Sequence, residues 1–351
     1  MIRLLMSGVL AFGLSALGTK FLIDILTRQH IGQPIREDGP EGHLIKAGTP
    51  TMGGLAIIAG AGGGYVLSDV LFGGVFTRSG LLAMAAICAA GLVGFADDWL
   101  KVSRERNLGL NKRTKMAGLL LVAGGFSVLT VTLTNTHHEL AFTRWASPGI
   151  DLGTAGWVVW AVLVILAMSN GVNLTDGLDG LAAGTGIFSY AAYAVIGFWI
   201  FRQTNDENGA LYDVPHALDL AVVAVAMIGA LAGFLWFNAA PAEIFMGDTG
   251  SLAIGTGLAT LALLTNTHLL LPIIGGIYVA ETLSVMLQVG WFKATKGKRL
   301  FRMAPIHHHF ELGGWPETKV IVRFWLIAGA LTAIALGLFY GDWVQTAELV
   351  E

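Results

Sequence analysis

Apolar runs of bilayer-spanning length recur along the whole chain and leave few folds open to it. They fall near residues 4–27, 51–71, 80–98, 115–134, 156–175, 181–201, 217–237, 250–266, 268–292 and 321–341. A helix needs about 20 mostly apolar residues to cross the hydrocarbon layer, and only helices and closed barrels satisfy every backbone group in lipid. The chain is therefore expected to be all-α, a polytopic integral membrane protein of about ten transmembrane helices, forming a single domain over residues 1–351. Composition points the same way: 54% of residues are apolar, 13% are charged and the mean hydropathy is +0.67. A soluble domain with that balance would be coated in apolar surface. The weakest divisions are the short turn at Asn266-Thr267-His268 and the last-but-one run, where Pro272 and Gly275-Gly276 are expected to bend the helix. The first run carries Lys20 and Asp24 one turn apart, able to pair, and reads as a retained span rather than a cleaved leader. The single cysteine, Cys88, lies inside an apolar run, so no disulfide framework is expected and the thiol reads as packed.

The net charge of −3 says little, because the charges are segregated along the chain. Arg28, Arg36 and Lys46 follow the first run, Lys101, Arg104, Arg106, Lys112, Arg113 and Lys115 the third, and Lys293, Lys296, Lys298, Arg299, Arg302 and Lys319 the ninth. The other side holds Arg3, Arg78, Arg144 and Arg202. By the positive-inside rule the basic connections are cytoplasmic and both termini are periplasmic. Parity then puts the connections near 28–50, 98–115, 170–181, 238–250 and 293–320 on the cytoplasmic face.

Those connections carry the chemistry. The third run closes on Asp97-Asp98 with Lys101 four residues after Asp97, a spacing that allows an ion pair on a helix. Adjacent residues point about 100° apart, so the two carboxylates are expected to face different partners. The next acidic connection reads Asn170-Gly-Val-Asn173-Leu-Thr-Asp176-Gly177-Leu178-Asp179-Gly180. Its glycines suggest a broken helix where backbone approaches a ligand; a plain Asn/Asp/Gly turn is the structural alternative. Asp248, after Asn238 and Phe245, reads either as an N-cap of the following helix or as part of a ligand site there. In Pro305-Ile-His307-His308-His309-Phe-Glu311 no cysteine accompanies the histidines and their spacing does not suit zinc; hydrogen bonds to phosphate fit the basic surroundings better. Gly48-Thr-Pro-Thr-Met-Gly-Gly54 reads as a Pro/Gly helix start, with Lys46 before it as a ligand candidate.

Aspartates with Asn partners are hard oxygen donors suited to Mg²⁺, which binds through one or two carboxylates plus substrate phosphates. Nearby Lys, Arg and His can hold the remaining phosphate charge. Phosphoryl transfer, which needs mainly alignment and charge neutralisation, is the expected chemistry, between one soluble and one lipid substrate because the residues gather at a membrane interface. A secondary transporter would place its ionisable groups near the midplane between inverted repeats, and no convincing repeat is seen. A scaffold would not need so many aspartates and asparagines at one face. No nucleic-acid partner is expected.

Asp97-Asp98-x-x-Lys101, Asn170-x-x-Asn173-Leu-Thr-Asp176-Gly-Leu-Asp179-Gly, Phe245-Met-Gly-Asp248-Thr-Gly-Ser251, the His307 to Glu311 stretch and Gly48 to Gly54 together resemble the phospho-N-acetylmuramoyl-pentapeptide transferases of bacterial cell-wall synthesis. The resemblance covers essentially the whole chain. The aspartate segments are shared across polyprenyl-phosphate N-acetylhexosamine-1-phosphate transferases, while the histidine and Thr-Pro-Thr-Met stretches single out the muramoyl branch against a sister enzyme using UDP-GlcNAc. The resemblance implies a ten-helix enzyme of the bacterial inner membrane that uses Mg²⁺ to join UDP-MurNAc-pentapeptide to undecaprenyl phosphate, giving lipid I and UMP. It implies Asp248 as metal ligand, with Asp97 and Asp98 at the lipid-phosphate and metal end and His307 in the catalytic set. Lys46, Gly177, Leu178, Asp179, Asn238 and Phe245 would surround the uridine, and Asn173, Asp176, Gln288, His307 and His308 the sugar-diphosphate; Lys101 and Asn170 join the substrate-binding set. Homodimers are implied by the family alone.

Overall fold

The computed structural model describes residues 1–29, 48–74, 76–104, 109–203 and 211–348. Its helices are α1 (Ile2–Arg28), α2 (Gly54–Phe72), α3 (Arg78–Ser103), α4 (Lys112–Leu133), α5 (Gly153–Thr175), α6 (Leu181–Gln203), α7 (Ala217–Asn238), α8 (Gly247–Leu264), α9 (Leu271–Ile274), α10 (Gly276–Ala294), α11 (Ile306–Glu311) and α12 (Glu317–Glu348). Among the described residues, eight of these are long and apolar enough to cross a membrane: α1 to α7 and α12. The other two expected spans are the shorter α8, of 18 residues, and α10, of 19. The bend expected in the ninth run is present: α9 ends at Ile274, Gly275 stands between, and α10 begins at Gly276. The basic connection after α10 contains the short helix α11, which hydropathy did not foretell.

Local signals set the ends. Thr77 caps α3 by accepting from the Gly80 N–H, and Asn111 caps α4 by accepting from Thr114. Large apolar side chains such as Leu17, Leu121 and Trp236 point outward, as lipid requires and water would penalise. Inside, small residues let backbones meet. At Gly229 on α7 a Cβ would lie 2.1 Å from the Gly8 carbonyl oxygen of α1, and Ser15 of α1 donates 2.7 Å to the Ala230 carbonyl. This is the packing expected where lipid removes the hydrophobic drive between helices. The central helix is α8, buried from Thr249 to Leu264. Its principal neighbours are α3 and α5. At the end of the bundle that holds the start of α1, Asp219 accepts from Arg3 at 3.0 Å, Tyr65 at 2.9 Å and the Thr77 hydroxyl at 2.6 Å. Arg3 also reaches Asp69 at 3.2 Å, so four helices are tied together there.

The expectation of an all-α chain needs correction. Between α4 and α5 the chain forms an antiparallel hairpin, β1 (Glu139–Arg144) and β2 (Ser147–Asp151). The segment is too short and polar to span, and its strands are held by distant parts of the chain. Thr143 and Arg144 donate to Asp342 of α12 at 2.8 and 2.9 Å. The Ala141 N–H donates 2.9 Å to Nε2 of His268 in the turn before α9. Burial pushes this imidazole down from the ordinary 6.5 to about 4, in keeping with a ring nitrogen that must accept. Because the folded pKa lies below the unfolded one, the neutral ring's contribution is complete above pH 6.5 and is lost as pH falls through about 4. Melting curves across that window should show a falling midpoint for the native chain and a shallower fall for His268→Gln; parallel curves would refute the assignment.

Candidate active site

The site is built where α3 ends and α8 begins. Gly94 makes the approach possible: a Cβ there would lie 2.2 Å from the Asp248 carbonyl oxygen. Asp98, buried, faces the start of α8. Its Oδ1 accepts from the Asp248 N–H at 3.1 Å, and its Oδ2 accepts from the Thr249 N–H at 2.9 Å and the Thr249 hydroxyl at 2.7 Å. The free amides of a helix start are thus satisfied by a carboxylate from a neighbouring helix. The N-cap reading of Asp248 is therefore set aside: Met246 holds the cap position, with no side-chain cap bond, and Asp248 lies in the first turn. Its side chain is left for the site.

Asp97 turns the other way, as its 100° offset requires. Its Oδ1 accepts from the Leu110 N–H at 2.8 Å, and its Oδ2 lies 2.6 Å from Nζ of Lys101, the expected pair. Lys101 also reaches Asp98 at 3.4 Å and Asp248 at 2.9 Å. Lys115 of α4 is 2.7 Å from the same Asp248 oxygen, while Asn173 at the end of α5 donates 2.6 Å to the other and 3.0 Å to Ser251. One oxygen each from Asp97, Asp98 and Asp248 lie within 4.8 Å of one another. Three hard donors at that separation, with an ammonium lodged among them, fit a divalent cation such as Mg²⁺. Lys101 and Lys115 are side chains of the type that pairs with phosphate.

The remaining expected residues divide. Asp176 ends α5 as its C-cap. Burial first, then the charges of Asp248, Asp98 and Asp179, push its carboxyl up to about 8, so it belongs to the same electrostatic neighbourhood. Gly177 lies against His307, whose Nε2 is 2.5 Å from where a Cβ would stand. Asp179 accepts from the Ala242 N–H at 3.0 Å, and Asn238 bridges the Gly180 N–H, at 3.0 Å, and the Ile244 carbonyl, at 2.8 Å. These two side chains sew the loop after α5 to the segment before α8. Phe245 is half-buried, its backbone paired with Pro50 and Gly53 at 2.8 and 2.9 Å. His308 is 2.7 Å from Glu311. Three residues are directed elsewhere: Asn170 donates to Leu166 of its own helix, Leu178 packs with Leu181, Ile277 and Phe324, and Gln288 accepts from the Leu300 and Phe301 amides, holding that turn. Lys46 lies outside the described residues. Sequence reasoning missed Lys115 and Thr249. Lys115 was indistinguishable from its basic neighbours, and the adjacency of Thr249 to Asp248 was the only available signal.

Comparison with known proteins identifies the family. The family model described as glycosyl transferase family 4 matches residues 80–266, and the phospho-N-acetylmuramoyl-pentapeptide-transferase signature 1 matches residues 46–58. The chain is 49% identical over 351 residues to a phospho-N-acetylmuramoyl-pentapeptide-transferase of Streptomyces griseus, covering 97% of this chain and 98% of that one. It is likewise 49% identical over 348 residues to one from Frankia alni, with the same coverage. Against one from Renibacterium salmoninarum the identity is 46% over 367 residues, covering 98% and 100%.

Proposed function

The chain belongs to the phospho-N-acetylmuramoyl-pentapeptide-transferase family, and we infer from that membership that it transfers phospho-MurNAc-pentapeptide from its UDP carrier to undecaprenyl phosphate, giving lipid I and UMP. This is the first membrane step of peptidoglycan synthesis. The observation that carries the reading at the level of the site is the meeting of Asp97, Asp98 and Asp248 with Lys101 and Lys115. Mg²⁺ held by the three carboxylates would neutralise phosphate charge during transfer. Lys101 and Lys115, paired here with the carboxylates, would exchange those contacts for the incoming phosphates, and Asn173 keeps Asp248 oriented. The loop from Asp176 to Asp179, Asn238 and Phe245 would take the uridine and sugar-diphosphate. With α8 and α10 added to the eight long apolar helices, the chain crosses the bacterial inner membrane ten times. The basic connections put this site on the cytoplasmic face. Homodimerisation is part of the same reading.

A phosphate monoester has a second pKa of about 6, so undecaprenyl phosphate is mostly dianionic at neutral pH and needs little activation. Direct attack on the sugar-linked phosphorus, with Asp97 taking any residual proton, follows. Enzyme mixed with the UDP-sugar but no lipid acceptor should release no stoichiometric UMP; a phospho-sugar adduct on Asp97 or Asp98 would overturn the one-step route. The functional reading itself is tested by transfer of radiolabel from UDP-MurNAc-pentapeptide into a butanol-extractable lipid. Transfer from UDP-GlcNAc instead would move the chain to the sister activity.

A further inference from the structure

Glu281 of α10 and His307 of α11 face each other beneath the loop that follows α5, and both are 0% exposed. Glu281 is unassigned in the transfer chemistry above. Its Oε1 lies 3.1 Å from Nδ1 of His307. Yet all four polar atoms of the pair, Oε1, Oε2, Nδ1 and Nε2, are buried without a hydrogen bond among the described residues. Burying a carboxylate or an imidazole in this condition is costly. An ionisable group in the apolar stretch of a membrane protein is retained for what it does. The neighbouring His308 has a carboxylate of its own, Glu311, at 2.7 Å, so Glu281 serves His307 specifically.

The far edge of the ring gives the pair its direction. Nε2 and Cε1 of His307 stand 2.5 and 2.9 Å from where a Cβ on Gly177 would be. Only a residue without a side chain lets the imidazole lie against this backbone, beside Asp176. A carboxylate only accepts, so when it bonds Nδ1 the hydrogen sits on Nδ1 and Nε2 is left for a ligand, as acceptor in the neutral ring and donor in the charged one. Working hydrogen bonds are often long or misaligned before substrate enters and tighten in the complex.

We propose that Glu281 is a positioning residue: by accepting from Nδ1–H it fixes the orientation of His307 so that, when the ring carries both protons, Nε2–H is turned past Gly177 to donate to the phosphates of the UDP-sugar. The inference rests on the functional reading above. The test uses the full-length enzyme in detergent with Mg²⁺, UDP-MurNAc-pentapeptide and undecaprenyl phosphate, and compares Glu281→Leu, His307→Asn and the double variant. Glu281→Leu fills the space without the acceptor; because it leaves His307 buried without its partner, some loss of stability is expected, and the rates are compared on folded protein. It should lower kcat roughly 100-fold with KM within about threefold of wild type, and leave UMP affinity unchanged. In the His307→Asn background it should cost nothing further, because the two act as a unit. If Glu281→Leu yields no folded protein, Glu281→Gln is read through the same comparisons. Wild-type kcat in the variant, an equal loss with and without His307, or a loss carried by a raised KM with kcat unchanged would each overturn the proposal. Failure of the wild-type enzyme to transfer at all would overturn the functional reading, and the role of the pair with it.

Discussion

Replacing Asp248 by Asn is expected to lower transfer roughly 1000-fold while the protein remains folded. The amide matches the carboxylate in shape, so packing at the start of α8 is preserved; what changes is charge. Lys101 and Lys115 both rest on one Asp248 oxygen, at 2.9 and 2.7 Å. In the variant both face a neutral group, and the trio of carboxylates loses the member that joins α8 to the two on α3. Electrostatic groups aimed in advance at the place where charge develops are worth the most in enzymes, because they need not reorganise during reaction. On the proposed reading, in which Asp248 holds the metal and orients both lysines, added Mg²⁺ should restore little. Cys88→Ala, a packed position on α3, serves as the control and should keep wild-type turnover. Initial rates of labelled lipid formation across a Mg²⁺ series decide the matter, and normal turnover in the Asp248 variant would remove Asp248 from the metal set.

Gly54→Ala should be nearly as damaging, by a different route. A single methyl there would lie 2.0 Å from the Gly250 nitrogen and 2.4 Å from its Cα. Both are backbone atoms of a helix buried on every side, so no side chain can turn away to make room. Overpacking of this kind costs about 1–3 kcal/mol and sometimes more. The strain falls where Asp98 holds the first amides of α8, so Asp248 moves with it. The variant is expected to melt earlier and to lose roughly 100-fold or more in kcat, in line with the sensitivity of catalysis to small displacements. Gly62→Ala, on the same helix with nothing within 4 Å of the added carbon, should behave as wild type. Equal behaviour of the two variants would mean that α2 and α8 are not held this close.

Much of the bundle was legible because lipid leaves so few ways to satisfy a backbone. Runs near 80–98 and 181–201 became α3 and α6, the bend at Gly275 was marked by Pro272 and the glycines, and Asp97 with Lys101 announced its own ion pair by spacing. Errors came where hydropathy is silent. The hairpin from Glu139 to Asp151 is stabilised by Asp342 and His268, 198 residues from Arg144 and 127 from Ala141 in sequence, and no local pattern reports partners so distant.

The sequence alone determined that this chain is a bundle of membrane helices and which segments carry carboxylates, amides and histidines, since hydropathy and residue chemistry are local properties. The tertiary structure decided what those groups do with one another. It turned Asp98 into the support of another helix, freed Asp248 from capping, drew Lys115 in from a run of similar cations and set Glu281 against His307. Each of these depends on how closely distant segments approach, and around Asp98 and Asp248 that distance is permitted by Gly94 against the Asp248 carbonyl and by Gly54 against Gly250.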